Sequence, residues 1–182
     1  LIRFREKTAG RAYGEVLEIG GGTGANLRFF PEDSRLTVVE PNPHMATRLL
    51  RKAREQEREL ILVSDFGEAL SFPDSSFDTV VTTLVLCMVK DMDGVLSEIR
   101  RVIKPGGTFL FYEHVIAQSQ HTRVLQNILN PLWKLTTTGC HLNRDILSSI
   151  SSVGFRKIEV ESFHLTFGIF VKLPNILGSA KM

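Results

Sequence analysis

The 182-residue sequence predicts an α/β fold: a doubly wound, seven-stranded sheet, mostly parallel with a C-terminal antiparallel hairpin, and helices on both faces. Three observations predict it. Short apolar runs alternate with amphipathic stretches of helical spacing, and strands separated by helices build a parallel sheet with right-handed crossovers. A glycine-rich turn follows the first apolar run directly. The last two strand-like runs have a short, non-helical link, which allows only antiparallel pairing at a sheet edge.

The elements follow in order. Val16–Ile19 reads as a strand broken by glycines, and Ala25–Phe30 as a helix stopped by Pro31. Leu36–Val39 is β-rich and ends at Glu40-Pro41, where proline cannot donate to a ladder. His44–Glu59 is rich in Ala, Leu, Arg and Glu, the composition of a helix. Leu60–Val63 and Phe77–Thr82 are the third and fourth strands. Asp91–Ile103 places Met92, Val95, Ile99, Val102 and Ile103 on one helical face. Lys104-Pro105-Gly106-Gly107 ends that helix and turns the chain into a fifth strand, Thr108–Tyr112. Val124–Leu135 and Asn143–Ser152 read as helices. Phe155–His164 alternates, with Ile158, Val160 and Ser162 on one side and Lys157, Glu159 and Glu161 on the other, and a last strand falls around Asn175–Lys181. With no Pro/Ser/Gly-rich linker, one domain is expected over 1–182, residues 14–113 forming a cofactor half and 114–182 the acceptor-side helices and final hairpin.

Composition narrows the function. A net charge of +2 gives no case for a nucleic-acid partner, and the basic run Arg48–Lys52 with Arg54 reads as a solvated helix face. No stretch is apolar enough to span a bilayer, and Phe167–Val171 is too short to do so. Two distant cysteines, Cys87 and Cys140, make neither a disulfide framework nor a zinc pattern, and the five histidines show no metal-ligand spacing, so no metal is expected. Cys140 reads as a small buried thiol.

Chemistry concentrates in Glu18-Ile19-Gly20-Gly21-Gly22-Thr23-Gly24. Glycines between a strand and a helix let backbone approach a ligand at the carboxyl end of a sheet. The spacing Gly20-x-Gly22-x-x-Ala25 also satisfies the dinucleotide fingerprint, which leaves an NAD-dependent oxidoreductase open. Glu18 argues for a sulfonium cofactor, because a carboxylate there attracts a methionine ammonium and repels a pyrophosphate. Glu40, about twenty residues past the loop, suits ribose hydroxyls, a contact common to both cofactors.

Four ordered motifs resemble the class I methyltransferases: the glycine loop, Glu40-Pro41, Glu68–Asp78, and Leu96-x-Glu98-Ile99-Arg100-Arg101-Val102-Ile103-Lys104-Pro105-Gly106-Gly107. Further residues resemble the microsomal methyltransferase-like proteins, a group that includes alkyl thiol S-methyltransferases. These are Gly24-Ala25-Asn26, Pro41-Asn42-Pro43, Thr83–Cys87, Glu113-His114-Val115, Trp133-Lys134, Gly139-Cys140-x-Leu142-x-Arg144 and Pro174-x-Ile176-x-Gly178-x-Ala180. The resemblance implies a Rossmann-like sheet, S-adenosyl-L-methionine as cofactor, and methyl transfer to a small lipophilic thiol. It also implies attachment through an apolar N-terminal segment to the cytoplasmic face of the endoplasmic reticulum or a lipid droplet, the present residues themselves being soluble and intracellular. Gly21 stands where that group has cysteine and Glu40 where it has aspartate. The acid that reads adenine elsewhere falls at Phe66, so the Phe66-Gly67-Glu68 backbone and ring are expected to line the adenine pocket instead, with Thr83 and Leu84 flanking the methionine part.

Methyl transfer from a sulfonium is an in-line displacement in which the protein binds, orients and excludes water. A thiol reacts as thiolate, so a modest base suffices. His114 beside Glu113 is the candidate, the carboxylate orienting the imidazole; a packed structural role for His114 stands at even weight. Tyr112 and Trp133 are read as pocket or core, and residues 117–142 as an acceptor lid. Two further readings remain open: an O- or C-methyltransferase on a lipid or quinone-like molecule, and a non-catalytic cofactor-binding scaffold.

Overall fold

The structure, a computed structural model, describes residues 1–137, 139–167 and 171–182. Gly168, Ile169 and Phe170, the middle of the apolar run noted in the sequence, lie outside the described residues.

Among the described residues, seven strands form one sheet: β1 Glu15–Ile19, β2 Arg35–Val39, β3 Ile61–Val63, β4 Phe77–Thr83, β5 Ile103–His114, β6 Lys157–Phe167 and β7 Val171–Lys181. Their order is β3-β2-β1-β4-β5-β7-β6. β1 through β5 pair in parallel, whereas β7 runs antiparallel to both β5 and β6. The expected doubly wound sheet with its C-terminal hairpin is therefore present. The strand order reverses between β1 and β4, which opens a crevice at their carboxyl ends.

Alternate residues of each central strand feed opposite faces. Leu17, Val80, Phe109 and Phe111 join one core with Val95, Leu96, Ile99 and Val102 of α3 (Met92–Val102) and Ile146 and Ile150 of α5 (Ile146–Ser152). Val16, Val38, Val81 and Leu110 join the other with Leu49 and Ala53 of α2 (Pro43–Glu55). The period-2 projection of a strand produces this two-sided burial. α2 begins where its residues dictate: the Asn42 side chain accepts from the His44 and Met45 amides, and Pro43 opens the first turn.

Three expectations need correction. Ala25–Phe30 holds only a 3₁₀ turn, Leu27–Phe29, because six residues between Gly24 and Pro31 are too few to nucleate an α-helix. Lys104–Gly107 does end α3, yet it lies within β5 as an irregularity. β4 pairs at Phe77–Ile103 and next at Thr79–Thr108, with Gly106 at φ +80° absorbing the bend. Third, the chain has a helix that the sequence reading did not place, α1 Ile2–Lys7; its Phe4 stacks on Phe163 at 4.1 Å and packs beside Tyr112. The penultimate helix, α4 Gln120–Thr136, runs over the expected lid, with Val124, Leu125, Ile128, Leu132 and Leu135 exposed.

Candidate active site

The glycine loop folds over the end of β2, where the Gly20 and Gly21 amides donate to the Val39 carbonyl at 2.8 and 3.2 Å. Gly22 has φ +55°, and a Cβ built there meets nothing within 4 Å, so its backbone faces open space. Gly21 is required for a different reason. A Cβ there would lie 2.2 Å from Val38 Cγ1 and 2.7 Å from Leu49 Cδ1.

Glu18, at the carboxyl end of β1, is 2% exposed. One carboxylate oxygen accepts from Asn26 Nδ2 at 2.6 Å, while the other, Oε2, is buried without a hydrogen-bond partner. Burial pushes the carboxyl up to about 8, against the opposing pull of Asn26 and Arg5. Asn26 also donates to Thr83 Oγ1 at 3.0 Å and accepts from Arg5 at 2.5 Å. One amide thus ties β1, the end of β4 and α1 together.

Glu40 accepts from Gly22 N at 2.8 Å through one oxygen and from Asn42 N at 2.9 Å through the other. It braces the loop and still presents free lone pairs beside Pro41 at the tip of β2. On the next loop, Phe66 is 61% exposed, and a Cβ built on Gly67 would meet Ile19 and Val95 at 3.1–3.4 Å. Both neighbouring acids are engaged. Asp65 accepts from the Ser71 amide and hydroxyl, and Glu68 accepts from the Lys90 and Asp91 amides at the start of α3. The ring of Phe66 is left without such partners there.

At the end of β4, Leu84 adopts φ +58°, an uncommon conformation for a branched side chain, locked by its amide donating to Tyr112 O at 2.8 Å. That turn aims the Val85 amide at Glu113, whose two oxygens accept it at 3.1 and 3.0 Å. Glu113 is fully buried, and burial lifts its carboxyl to about 7 despite the Val85 and Leu86 amides.

The expected Glu113–His114 pair does not form. The carboxylate is taken up by the Val85 amide in the loop after β4. His114 Nε2 instead lies 2.7 Å from Cys140 Sγ. The ligand atoms of Cys87, His114 and Cys140 all fall within 4.8 Å of one another, and all three residues are buried. Cys140 is held well below the ordinary thiol range, first by hydrogen bonding from Cys87 and then by His114, while the donating Cys87 is pushed up. The reading of Cys140 as a thiol without a partner base is thereby corrected. Arg5, Asn26 and the Cys87–His114–Cys140 grouping were not singled out as site residues in the sequence. Only Asn26 had a local signal, its place two residues after Gly24.

The residues fit S-adenosyl-L-methionine better than a dinucleotide. The orphaned Glu18 Oε2 suits a cationic amino group, and the loop leads into three residues of 3₁₀ turn, not into the α-helix whose N-terminal dipole holds a pyrophosphate. Sheet order, loop and acids together define a nucleoside-cofactor transferase. The chain belongs to the methyltransferase domain family, whose model matches residues 17–111. It is 38% identical over 170 residues to thiol S-methyltransferase TMT1B of Rattus norvegicus and 36% identical over 169 to thiol S-methyltransferase TMT1A of Homo sapiens, each match covering 91% of this chain and 69% of the relative. A SAM-dependent methyltransferase from Methanosarcina mazei has the same fold, at TM-score 0.73, 20% identity and coverage of 92% and 91%.

Proposed function

We propose that the chain methylates a small lipophilic thiol on sulfur, with S-adenosyl-L-methionine as donor. The observation that supports this most is the reach of its likeness to thiol S-methyltransferases. It takes in 91% of the chain, so it extends well past residue 111, where the general methyltransferase match ends, into the elements carrying His114 and Cys140. S-adenosyl-L-methionine supplies an electrophilic methyl group together with its own leaving group.

The chain's own residues do the rest. Glu18 faces the amino group of the methionine part, Glu40 the ribose, and Phe66 with the backbone of Gly67 and Glu68 the adenine. Thr83 and Leu84 flank the methionine part, with Asn26 holding Thr83 to Glu18. Glu113 is a positioning residue: it fixes the Leu84–Val85 turn from behind. His114 stands on the acceptor side at the end of β5, where Gln126 of α4 also binds the Ala117 amide and the Val115 carbonyl, seating α4 across that end of the sheet.

Calorimetric titration with S-adenosylhomocysteine, followed by a radiolabelled-donor screen of alkyl thiols, phenols and quinols, tests the reading. Binding followed by methylation of thiols is expected. Methylation of phenols or quinols alone would put the activity in the O- or C-methyltransferase class.

A further inference from the structure

Cys87, His114 and Cys140 come from three separate parts of the chain: the loop after β4, the last residue of β5, and the link between α4 and α5. The backbone holds them together independently of their side chains. The His141 amide donates to the Cys87 carbonyl at 2.8 Å, and the Ile116 amide to the Arg144 carbonyl at 2.9 Å. Arg144 in turn donates to the Leu86 and Val89 carbonyls at 2.5 and 2.6 Å, framing the loop that carries Cys87. The grouping is therefore built into the fold.

We propose that Cys87, His114 and Cys140 bind a zinc-class divalent ion and leave its fourth position open for the sulfur of the acceptor. Two thiolates and an imidazole are a donor set that zinc favours over harder ions, and three protein ligands with one open position are the arrangement of catalytic zinc. Geometry allows it. Zinc bonds of about 2.3 Å to sulfur and about 2.0 Å to nitrogen put tetrahedral ligands roughly 3.5–3.8 Å apart. The three ligand atoms already lie within 4.8 Å of one another, and the 2.7 Å contact between His114 Nε2 and Cys140 Sγ has to open by about 1 Å. Burial gives a second reason. Cys87 and Cys140 are 2% and 8% exposed, and a divalent ion that took the place of their protons would leave the buried group neutral. The acceptor part of the proposal rests on the thiol S-methylation reading. A thiol that coordinates the ion would give up its proton to solvent and bind as thiolate; its sulfur would then bond to the methyl carbon as the bond from that carbon to the sulfonium breaks, and S-adenosylhomocysteine leaves.

The test has a readout separate from activity. The full chain, purified without chelators, is expected to carry about one equivalent of zinc by elemental analysis. Exchanged with cobalt(II), it should show sulfur-to-cobalt charge-transfer absorption, lost or halved in Cys87→Val, Cys140→Val and His114→Gln. S-adenosylhomocysteine binding by each variant reports that it still folds. A short alkane thiol should then shift the cobalt spectrum. Absence of metal and of the cobalt spectrum in protein that binds S-adenosylhomocysteine overturns the site. A cobalt spectrum that thiols leave unchanged overturns the acceptor position alone. Metal bound at full occupancy in an enzyme that methylates phenols and not thiols keeps the site and discards the S-methylation reading.

Discussion

On the proposed reading, Glu18 holds a proton that an ammonium-bearing ligand has to displace. With its carboxyl raised to about 8 by burial, it is mostly neutral at pH 7, and an arriving ammonium group ionises it. Binding of S-adenosylhomocysteine at pH 7 should therefore release a proton, visible as a calorimetric heat that varies with the ionisation enthalpy of the buffer. Affinity should fall as pH drops below 8, by up to about tenfold per unit. Glu18→Gln should abolish the release and weaken binding roughly 10- to 100-fold, the range for a lost charge-assisted contact; unchanged proton release would remove Glu18 from the ligand. Gly21→Ala should cost about 1–3 kcal/mol in denaturant melts through overpacking against Val38 and Leu49, and Val38→Ala in the same chain should restore part of it. Glu18, the glycines and Glu40 were readable in the sequence because one strand-turn-helix spacing places them all. Cys87, His114 and Cys140 were not. Metal patterns are recognised by short local spacings, and these three meet only through strand order and the fold of the acceptor-side link.

The loop between β3 and β4 has little regular structure, and α3 holds it. Arg101 donates to the Phe72 and Leu70 carbonyls and to Asp74, and pairs with Glu98, which itself accepts from the Leu70 amide. Arg101→Met should lower stability by about 2 kcal/mol, or roughly 4–8 °C in melting temperature for a chain of this size. Hydrogen exchange should rise across residues 66–74; a loss below about 0.5 kcal/mol would mean the clasp is no stronger than a surface ion pair. The longer helices were legible, α2 from its composition and α3 from apolar spacing over three turns. The stretch after the glycine loop was not. Gly24 and Pro31 leave room for one 3₁₀ turn, a steric limit that a run of helix-forming residues does not register.

Across the whole molecule, Glu18 and Glu113 set a pH dependence of stability. Both carry folded-state values above the ordinary 4.5, near 8 and 7. The folded chain keeps protons that the unfolded chain has released, so their contribution is complete below about pH 4.5 and is lost as pH rises toward 7–8. Melting temperature without ligand should decline from pH 5 to pH 8, and Glu113→Gln should flatten that slope below about pH 7, leaving the part between 7 and 8 to Glu18. A flat profile in the parent chain would show that both carboxylates are ionised in the folded state. The sheet itself was legible as a whole, since strands separated by helices and followed by a hairpin leave few topologies. Which hairpin strand lies inside was not read, although the exposed Lys157, Glu159 and Glu161 of β6 suit an edge.

β7 lies between β5 and β6, and it is made after every other strand of the sheet. During synthesis β5 therefore has an open edge until residues 175–181 arrive to pair along Thr108–His114. The parallel half can assemble early, but the wall bearing His114, paired to Asn175, is completed late. A ribosome stalled before residue 171 would release a chain with a cofactor loop and an unprotected, aggregation-prone strand. Synthesis order thus places completion of the acceptor side after that of the donor side.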